Sequence, residues 1–167
     1  SLDCRVRELY SIPASHKIVM YAPTFRRGND LTPYSIDWSK VIPELEKVFD
    51  GAPVSVLVRL HPNLIGKADT SGLVAYENVM DATMYHDMQE LLCVSDMLIT
   101  DYSSAMFDFA MLGRPCLLYA TDIEKYDRGY YYTFDELPYP LANSQEEFES
   151  ITKHFDMEGY RHDVKDF

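Results

Sequence analysis

The stretch Met97-Leu-Ile-Thr100, followed by Asp101-Tyr-Ser-Ser104, joins a short apolar run directly to a polar turn. An apolar run of this length without alternation is typical of a strand that is buried on both faces. Beyond the turn, apolar side chains from Met106 to Leu112 recur at helical spacing, and Gly113 stands where helices often end. The stretch therefore predicts a buried strand that turns directly into a helix.

The same alternation of short strands and helices recurs along the rest of the chain. Further strands are predicted at residues 17–22, 54–59, 73–76 and 115–119. Helices are predicted at residues 38–49, 84–94 and 146–155, the last one behind a capping box that Ser144 and Glu147 form. This alternation predicts an α/β fold, a Rossmann-like parallel sheet with helices on both faces.

The composition argues against several classes of protein. A formal net charge of −12 disfavours nucleic acid or an anionic membrane surface as a broad partner, because both attract basic faces. No apolar stretch approaches the roughly 18 residues of a membrane-spanning helix. The three cysteines, Cys4, Cys93 and Cys116, lack metal-ligand spacing, and Cys93 and Cys116 lie in apolar runs that predict buried, inert thiols. These features indicate a reducing, cytoplasmic setting.

Polar and basic residues follow the predicted strands at the edge where parallel sheets bind ligands. They are Thr24, Arg26 and Arg27 after the first strand, Arg59 and His61 after the second, Asp101, Ser103 and Ser104 after the third, and Thr121, Asp122, Lys125 and Arg128 after the last. Five of the 15 Lys and Arg residues of this acidic chain belong to this set. The pattern favours a cationic pocket for an anionic ligand such as a diphosphate.

Ser103, Ser104 and His61 each have a structural and a functional explanation. A serine before the helix could be an N-cap, or it could bind a phosphate together with the free N–H groups of the helix start. His61 could be a buried core histidine. Its position after Arg59 at a strand end, with Pro62 fixing the turn, favours contact with a ligand, either by hydrogen bonding to phosphate or by protonating a leaving group.

Asp108 and Arg128 likewise have both a functional and a structural explanation. Asp108, one turn beyond Ser104, could bind a ribose hydroxyl or lie on a solvated face. Arg128 could place its guanidinium on a phosphate beside Gly129, or it could occupy a surface turn. The chain lacks a Gly-rich phosphate loop, a GxGxxG fingerprint and a His-Glu-x-x-His metal motif, and Ser103 is not on a nucleophile elbow. We therefore expect no metal site, no cofactor and no hydrolase chemistry.

Six short motifs stand in order along the chain. They are Tyr21-Ala-Pro-Thr-Phe-Arg26, Arg59-Leu-His-Pro62, Thr100-Asp-Tyr-Ser-Ser104, Phe107-Asp-Phe-Ala110, Arg114-Pro115 and Tyr126-Asp-Arg-Gly129. Together they resemble the CDP-glycerol glycerophosphotransferase family, the teichoic-acid-type polymerases and primases, over roughly residues 17–155. The resemblance implies the C-terminal, donor-binding half of a two-domain GT-B architecture in cell-wall or surface-polymer synthesis. We accordingly expect a lead segment at 1–16, a nucleotide-donor-binding domain at 17–158 and a polar tail at 159–167.

The resemblance also implies a reaction and a set of site residues. An acceptor hydroxyl would attack the phosphorus that carries the polyol of CDP-glycerol, or of a similar CDP-polyol, and expel CMP without a required metal. Catalytic roles fall to His61 and Arg59, and donor-binding roles fall to Thr24, Arg26, Asp101, Ser103, Ser104, Arg128 and, at the ribose, Asp108. A polyol-phosphate or glycolipid acceptor would bind through an N-terminal domain that this chain lacks. We therefore expect binding without turnover, and a full-length protein peripheral to the cytoplasmic membrane face.

Two other classes of function compete with this interpretation. A GT-B glycosyltransferase or a UDP-sugar epimerase would use the same scaffold, but with an Asp-Ser-Gly-Gly-like turn where this chain has Asp101-Tyr-Ser-Ser104. A non-catalytic α/β nucleotide-binding module is the second alternative, and the presence of Arg59 and His61 argues weakly against it. Preference for cytidine or uridine nucleotides would separate the two enzyme classes.

Overall fold

Six parallel strands form one sheet within the residues that the structure describes. The computed structural model describes residues 1–28, 30–67, 69–125 and 136–166. The strands are Lys17–Tyr21 (β1), Val54–Val58 (β2), Val79–Asp81 (β3), Met97–Thr100 (β4), Cys116–Tyr119 (β5) and Leu141–Ala142 (β6). Their order is β3-β2-β1-β4-β5-β6, and each neighbouring pair is parallel. The order reverses between β1 and β4, and sheets of this kind bind ligands beyond the carboxyl ends of the strands at such a switch point.

Helices cover both faces of this sheet. In the described part of the chain they are Leu2–Leu9 (α1), Trp38–Val48 (α2), Met88–Val94 (α3), Ala105–Ala110 (α4), Gln145–Lys153 (α5) and Met157–Asp166 (α6). Buried side chains of α2 and α5 share one core cluster, and those of α1, α3, α4 and α6 share the other. None of the helices in these ranges has the length and apolar character needed to cross a bilayer.

Successive residues of the central strand point into opposite core clusters. Val19 and Tyr21 of β1 pack on the side of α2 and α5, whereas Ile18 and Met20 pack on the side of α1 and α3. Because side chains alternate across a strand, a sheet covered on both faces favours apolar residues at successive positions. This burial explains the continuous apolar runs of the sequence, and it confirms the predicted Rossmann-like parallel sheet with helices on both faces.

The strand predicted at residues 73–76 is wrong. Ser71–Val74 forms a short 3-10 helix instead, and the sheet is joined later, by Val79–Asp81. Asn78 adopts a positive φ of 63°, a conformation that asparagine tolerates better than most residues. The chain therefore turns immediately before Val79, and only from there does it run parallel to β2.

The helix predicted at residues 84–94 starts later, and the prediction that its cysteine is buried is wrong. Asp87 caps α3, since its carboxylate accepts the Gln89 N–H at 2.8 Å, while Met84 remains 77% exposed. Cys93, which we expected to be buried, lies on the exposed side of α3; Cys116 is buried in β5, as predicted. An apolar run thus marked the helix without showing which of its side chains face solvent.

Both ends of the chain form helices that pack on the sheet, within the stretches that we described as a lead segment and a polar tail. Residues 2–9 form α1, whose Val6 is fully buried against the sheet domain. Residues 159–166 belong to α6, where Tyr160 is buried and its hydroxyl accepts the Cys116 N–H of β5 at 2.9 Å. The capping box of α5 is confirmed, because Ser144 Oγ accepts the Glu147 N–H at 3.1 Å.

Candidate functional site

A cleft of about 340 Å³ opens at the switch point of the sheet, beyond the carboxyl ends of β1, β2 and β4. It brings together four of the residues that the sequence predicted for the site: Thr24, Arg59, His61 and Ser103. The remaining walls are Ala22, Pro23, Phe25, Leu60, Pro62 and Met88. The cleft is thus apolar on most sides and carries a few convergent polar groups, which is the usual make-up of a small-molecule site.

Arg59 provides a positive charge in this cleft that has no ion-pair partner among the described residues. Its Nη1 donates to the main-chain oxygens of Tyr85 at 2.5 Å and of Ala82 at 3.4 Å. Burial lowers the pKa of the guanidinium, although arginine still stays protonated at neutral pH. A partly buried charge whose direct hydrogen bonds go to carbonyl groups gains strongly from an anionic ligand.

His61 lies at the rim of the cleft and not in the core. Its ring is exposed, and Nδ1 accepts the Asn63 N–H at 3.1 Å, which caps the 3-10 helix Pro62–Leu64. The ring contacts the Phe25 ring, with 5.4 Å between the centroids. A neutral imidazole whose Nδ1 accepts a hydrogen bond carries its proton on Nε2, and this proton can be donated to a ligand.

Of the polar residues that follow β4, Ser103 caps a helix, whereas Ser104 and Asp108 are exposed. Ser103 Oγ accepts the Ala105 N–H at 3.2 Å, so Ser103 caps the first turn of α4 while it lines the cleft. Ser104 is exposed, and its side chain makes no capping bond. Asp108 is also exposed on α4, and its carboxylate accepts a long 3.4 Å bond from Gln89 Nε2. These hydroxyl and carboxylate groups therefore remain accessible to a bound molecule.

Arg26 and Asp101 have a different environment from the one the sequence suggested. Asp101 is buried, and its carboxylate accepts the N–H groups of Thr24 at 2.8 Å and of Tyr102 at 2.6 Å. Arg26 forms ion pairs with Asp101 and with Asp122, whose two oxygens lie 2.9 Å from Nε and Nη2. Arg26 therefore belongs to an internal ion cluster, which we define as Arg26, Asp101 and Asp122.

The electrostatics of the ion cluster reflect its burial. Burial raises the pKa of Asp101, and the neighbouring Arg26 charge opposes this shift only in part. Burial also acts against the charge of Arg26, but hydrogen bonds to Asp122 and Asp101 outweigh it and raise the pKa of the guanidinium. For Asp122, burial raises the pKa and the bonds from Arg26 lower it, with a net decrease. Asp101 accepts hydrogen bonds from Arg26, Thr24 and Tyr102, and donors of this kind favour the ionised form of a carboxyl group.

The placement of the ion cluster separates Arg26 from the cleft that holds Arg59. Arg26 and Asp122 line a second cleft of about 470 Å³, together with Arg27, Lys125 and Asn143 among others, and it shares no lining residue with the first. Sequence reasoning placed Asp122 at this edge but missed its role as a counter-ion. Arg128, also predicted for the site, lies outside the described residues. In the described ranges, no group of three or more His, Cys, Asp or Glu residues is arranged to hold a metal ion.

The sheet order, the helices on both faces and the cleft at the switch point define a Rossmann-like α/β domain. Residues 3–165 match the family model described as CDP-Glycerol:Poly(glycerophosphate) glycerophosphotransferase. The chain belongs to this family, as its motifs predicted.

Curated relatives act in teichoic acid synthesis. The chain is 39% identical over 147 residues to the teichoic acid poly(glycerol phosphate) polymerase of Staphylococcus epidermidis, which covers 81% of this chain and 19% of the relative. It is 35% identical over 146 residues to the teichoic acid glycerol-phosphate transferase of Staphylococcus aureus, with 84% and 36% covered. The chain therefore spans well under half the length of these relatives.

Solved structures agree with the sequence relatives. The wall teichoic acid polymerase TagF superposes with a TM-score of 0.73 at 34% identity, over 99% of this chain and 41% of TagF. A TagF variant soaked with CDPG gives a TM-score of 0.75 at 34% identity, over 99% and 40%. The UDP-GlcNAc 2-epimerase of Neisseria meningitidis superposes with a TM-score of 0.60 at 18% identity, over 98% and 43%, which shows a shared fold alone.

Proposed function

We propose that this chain is the donor-binding domain of a transferase that moves glycerol phosphate, or a similar polyol phosphate, from a CDP-activated donor to an acceptor hydroxyl. The observation that carries the proposal is Arg59, a guanidinium without an ion-pair partner among the described residues, which lines the switch-point cleft. Membership of the glycerophosphotransferase family supports the choice of a CDP-polyol as its ligand.

The residues around the cleft suit a diphosphate that spans the switch point. Arg59 would pair with the diphosphate, and His61 would donate its Nε2 proton to a phosphate oxygen. The hydroxyl groups of Thr24 and Ser103, with Ser104 beside them, would donate further hydrogen bonds to the same oxygens. The accessible carboxylate of Asp108 would accept a hydrogen bond from a ribose hydroxyl, and Arg128 would be a further phosphate ligand.

The reaction is a displacement at the phosphorus that carries the polyol. The acceptor oxygen forms the new P–O bond, the bond from this phosphorus to the bridging oxygen breaks, and CMP leaves with the negative charge. Arg59 and His61 stabilise this developing charge, and electrostatic stabilisation of this kind commonly contributes more to catalysis than any other single effect. The proton of the acceptor hydroxyl passes to a base that the full-length protein supplies outside this chain.

The same proposal covers the rest of the protein. The chain forms the C-terminal half of a GT-B architecture, and the acceptor, a polyol phosphate or glycolipid, binds through another domain. The relatives are much longer than the segment they share with this chain, which leaves room for such a domain. The protein works in the cytoplasm, in cell-wall or surface-polymer synthesis, with the full-length form peripheral at the cytoplasmic face of the membrane.

The test combines calorimetric titration of the chain with CDP-glycerol and an assay for released CMP in the presence of a glycerol-phosphate acceptor. We expect saturable binding of CDP-glycerol and no CMP release above the protein-free control. Absence of binding would contradict the assignment as a donor domain. Transfer of glycerol phosphate by this chain alone would show that it contains its own base, and would contradict the division of labour between two domains.

A further inference from the structure

The ion cluster of Arg26, Asp101 and Asp122 joins the loops that follow three strands. Arg26 comes after β1, Asp101 directly follows β4, and Asp122 comes after β5. Every guanidinium nitrogen of Arg26 is engaged. Nε and Nη2 bind the two oxygens of Asp122 at 2.9 Å, and Nη1 binds Asp101 and the main-chain oxygen of Thr24, the latter at 2.7 Å. Nearly all the N–H donors of this guanidinium are therefore occupied by the protein itself.

Aromatic rings enclose the same guanidinium. The centre of the Arg26 guanidinium lies 5.3 Å from the Tyr34 ring and 5.1 Å from the Tyr102 ring. The Tyr102 hydroxyl also donates a hydrogen bond to Asp122 at 3.0 Å, and the Tyr34 hydroxyl accepts one from the main-chain N–H of Arg26 at 2.7 Å. The side chain of Arg26 is only 10% exposed as a result. Buried aromatic and ionic contacts of this kind hold a side chain in one conformation.

The charge of the ion cluster argues against direct phosphate binding. One guanidinium faces two carboxylates, so the three side chains together carry a net negative charge. A phosphate at Arg26 would have to displace one carboxylate, and breaking a buried ion pair leaves the displaced charge without compensation. Arg59, in contrast, has no carboxylate to displace among the described residues.

We propose that Arg26 is a positioning residue that acts through Asp101, and that neither residue is a ligand of the donor. Arg26 orients the Asp101 carboxylate, which in turn accepts the main-chain N–H groups of Thr24 and Tyr102. The bond from Thr24 fixes the β1 loop to the β4 loop across the switch point, and the bond from Tyr102 holds the Asp101 carboxylate within the β4 loop. Thr24 and Ser103 thereby line the same cleft. The identity of the ligand in that cleft rests on the proposed function; the positioning does not.

Removing the negative charge of Asp122 tests the proposal, because direct contact and positioning predict opposite changes in the affinity for CDP-glycerol. Asp122→Asn removes one negative charge beside Arg26 and keeps the side-chain volume. If Arg26 contacted the diphosphate, this variant would bind CDP-glycerol more tightly than the wild type does. Positioning predicts the opposite: Asp122→Asn and Arg26→Met each weaken binding, by roughly tenfold for the loss of charged hydrogen bonds. Tighter binding by Asp122→Asn would overturn the proposal.

Salt dependence and a matched control distinguish positioning from loss of charge. Lys47→Met also removes one positive charge, but from an exposed pair with Glu44 on α2, and it should bind CDP-glycerol like the wild type. The weakening by Arg26→Met should be equal at low and high salt, whereas that by Arg59→Met should shrink at high salt, because salt screens a direct charge contact. Equal salt behaviour of the two variants would count against positioning.

A measurement without ligand separates this proposal from the proposed function. In ¹⁵N-correlated spectra of the free chain, the Thr24 and Tyr102 amide signals should move in Arg26→Met, while signals of the β2 core stay in place. Wild-type positions of both signals in Arg26→Met would overturn the positioning role, whether or not the chain binds CDP-glycerol. Shifted signals in a chain that fails to bind CDP-glycerol would support positioning and contradict the donor assignment alone.

Discussion

Arg59 Nη1 donates to the main-chain oxygen of Tyr85 at 2.5 Å, which ties the end of β2 to the loop that follows β3. The bond holds the guanidinium against the cleft, but a carbonyl oxygen carries only part of an electron charge. Most of the positive charge is therefore left to attract a ligand. This arrangement explains how an acidic protein can present a positive charge in a cleft.

Arg59→Met should weaken CDP-glycerol binding by roughly ten- to hundredfold, as expected for the loss of charged hydrogen bonds to phosphate. Binding of cytidine, which has no phosphate, should change much less. Calorimetric titration with both ligands checks this difference. Equal losses for the two ligands would indicate that the substitution damages the cleft as a whole, and that Arg59 does not contact the diphosphate.

His61→Ala should reduce affinity for CDP-glycerol while it leaves the fold nearly intact. The ring is exposed, and its one described hydrogen bond caps a single 3-10 turn, so we expect a decrease in unfolding free energy of about 1 kcal/mol or less. Denaturant unfolding and titration of the same variant separate the two effects. A large loss of stability with unchanged affinity would show that His61 has a structural role and does not contact the ligand.

Much of the fold could be predicted from the sequence because burial leaves a local pattern. The strands β1, β2, β4 and β5 are covered on both faces, which requires apolar residues at successive positions and makes them visible. The strand β3 has three residues and ends in Asp81, so no local pattern marks it. The helix α6 was missed because its few apolar positions, Tyr160 and Val164 among them, lie in an otherwise polar segment.

The meeting of several candidate residues in one cleft could be predicted for a related reason. Strand ends meet at one edge of a parallel sheet, so the rule that locates ligands there correctly grouped Thr24, Arg59, His61 and Ser103. The rule does not predict which of these polar residues form ion pairs with one another. Arg26 is held by Asp122, 96 positions away in the chain, and only the folded structure shows which basic residues already have a partner.

Tyr160→Phe should destabilise the protein by about 1–3 kcal/mol, because the buried N–H of Cys116 loses its acceptor at the start of β5. Donor binding should be unchanged, since Tyr160 contacts the amino end of β5, whereas the cleft lies beyond the carboxyl ends of the strands. Urea unfolding checks the first statement. An unchanged unfolding midpoint would contradict the docking of α6 through this hydroxyl.

Stability should fall at alkaline pH. Burial raises the pKa of Tyr139 from its ordinary value of 10.0 to about 12, so the folded chain keeps its proton where the unfolded chain loses it. The contribution of Tyr139 is complete below pH 10 and is lost progressively as the pH rises toward 12, with about 1 kcal/mol lost at pH 11. Thermal unfolding of Tyr139→Phe should show a shallower decline between pH 9 and 11; an identical decline would contradict this assignment.

Calorimetric titration of the chain with CMP, CDP-glycerol, UMP and UDP tests the central claim most directly. We predict tighter binding of the cytidine ligands, and loss of most of the CDP-glycerol affinity in Arg59→Met but not in Lys47→Met. Preference for the uridine ligands, or cytidine binding that Arg59→Met leaves unchanged, would contradict a CDP-polyol site in the switch-point cleft.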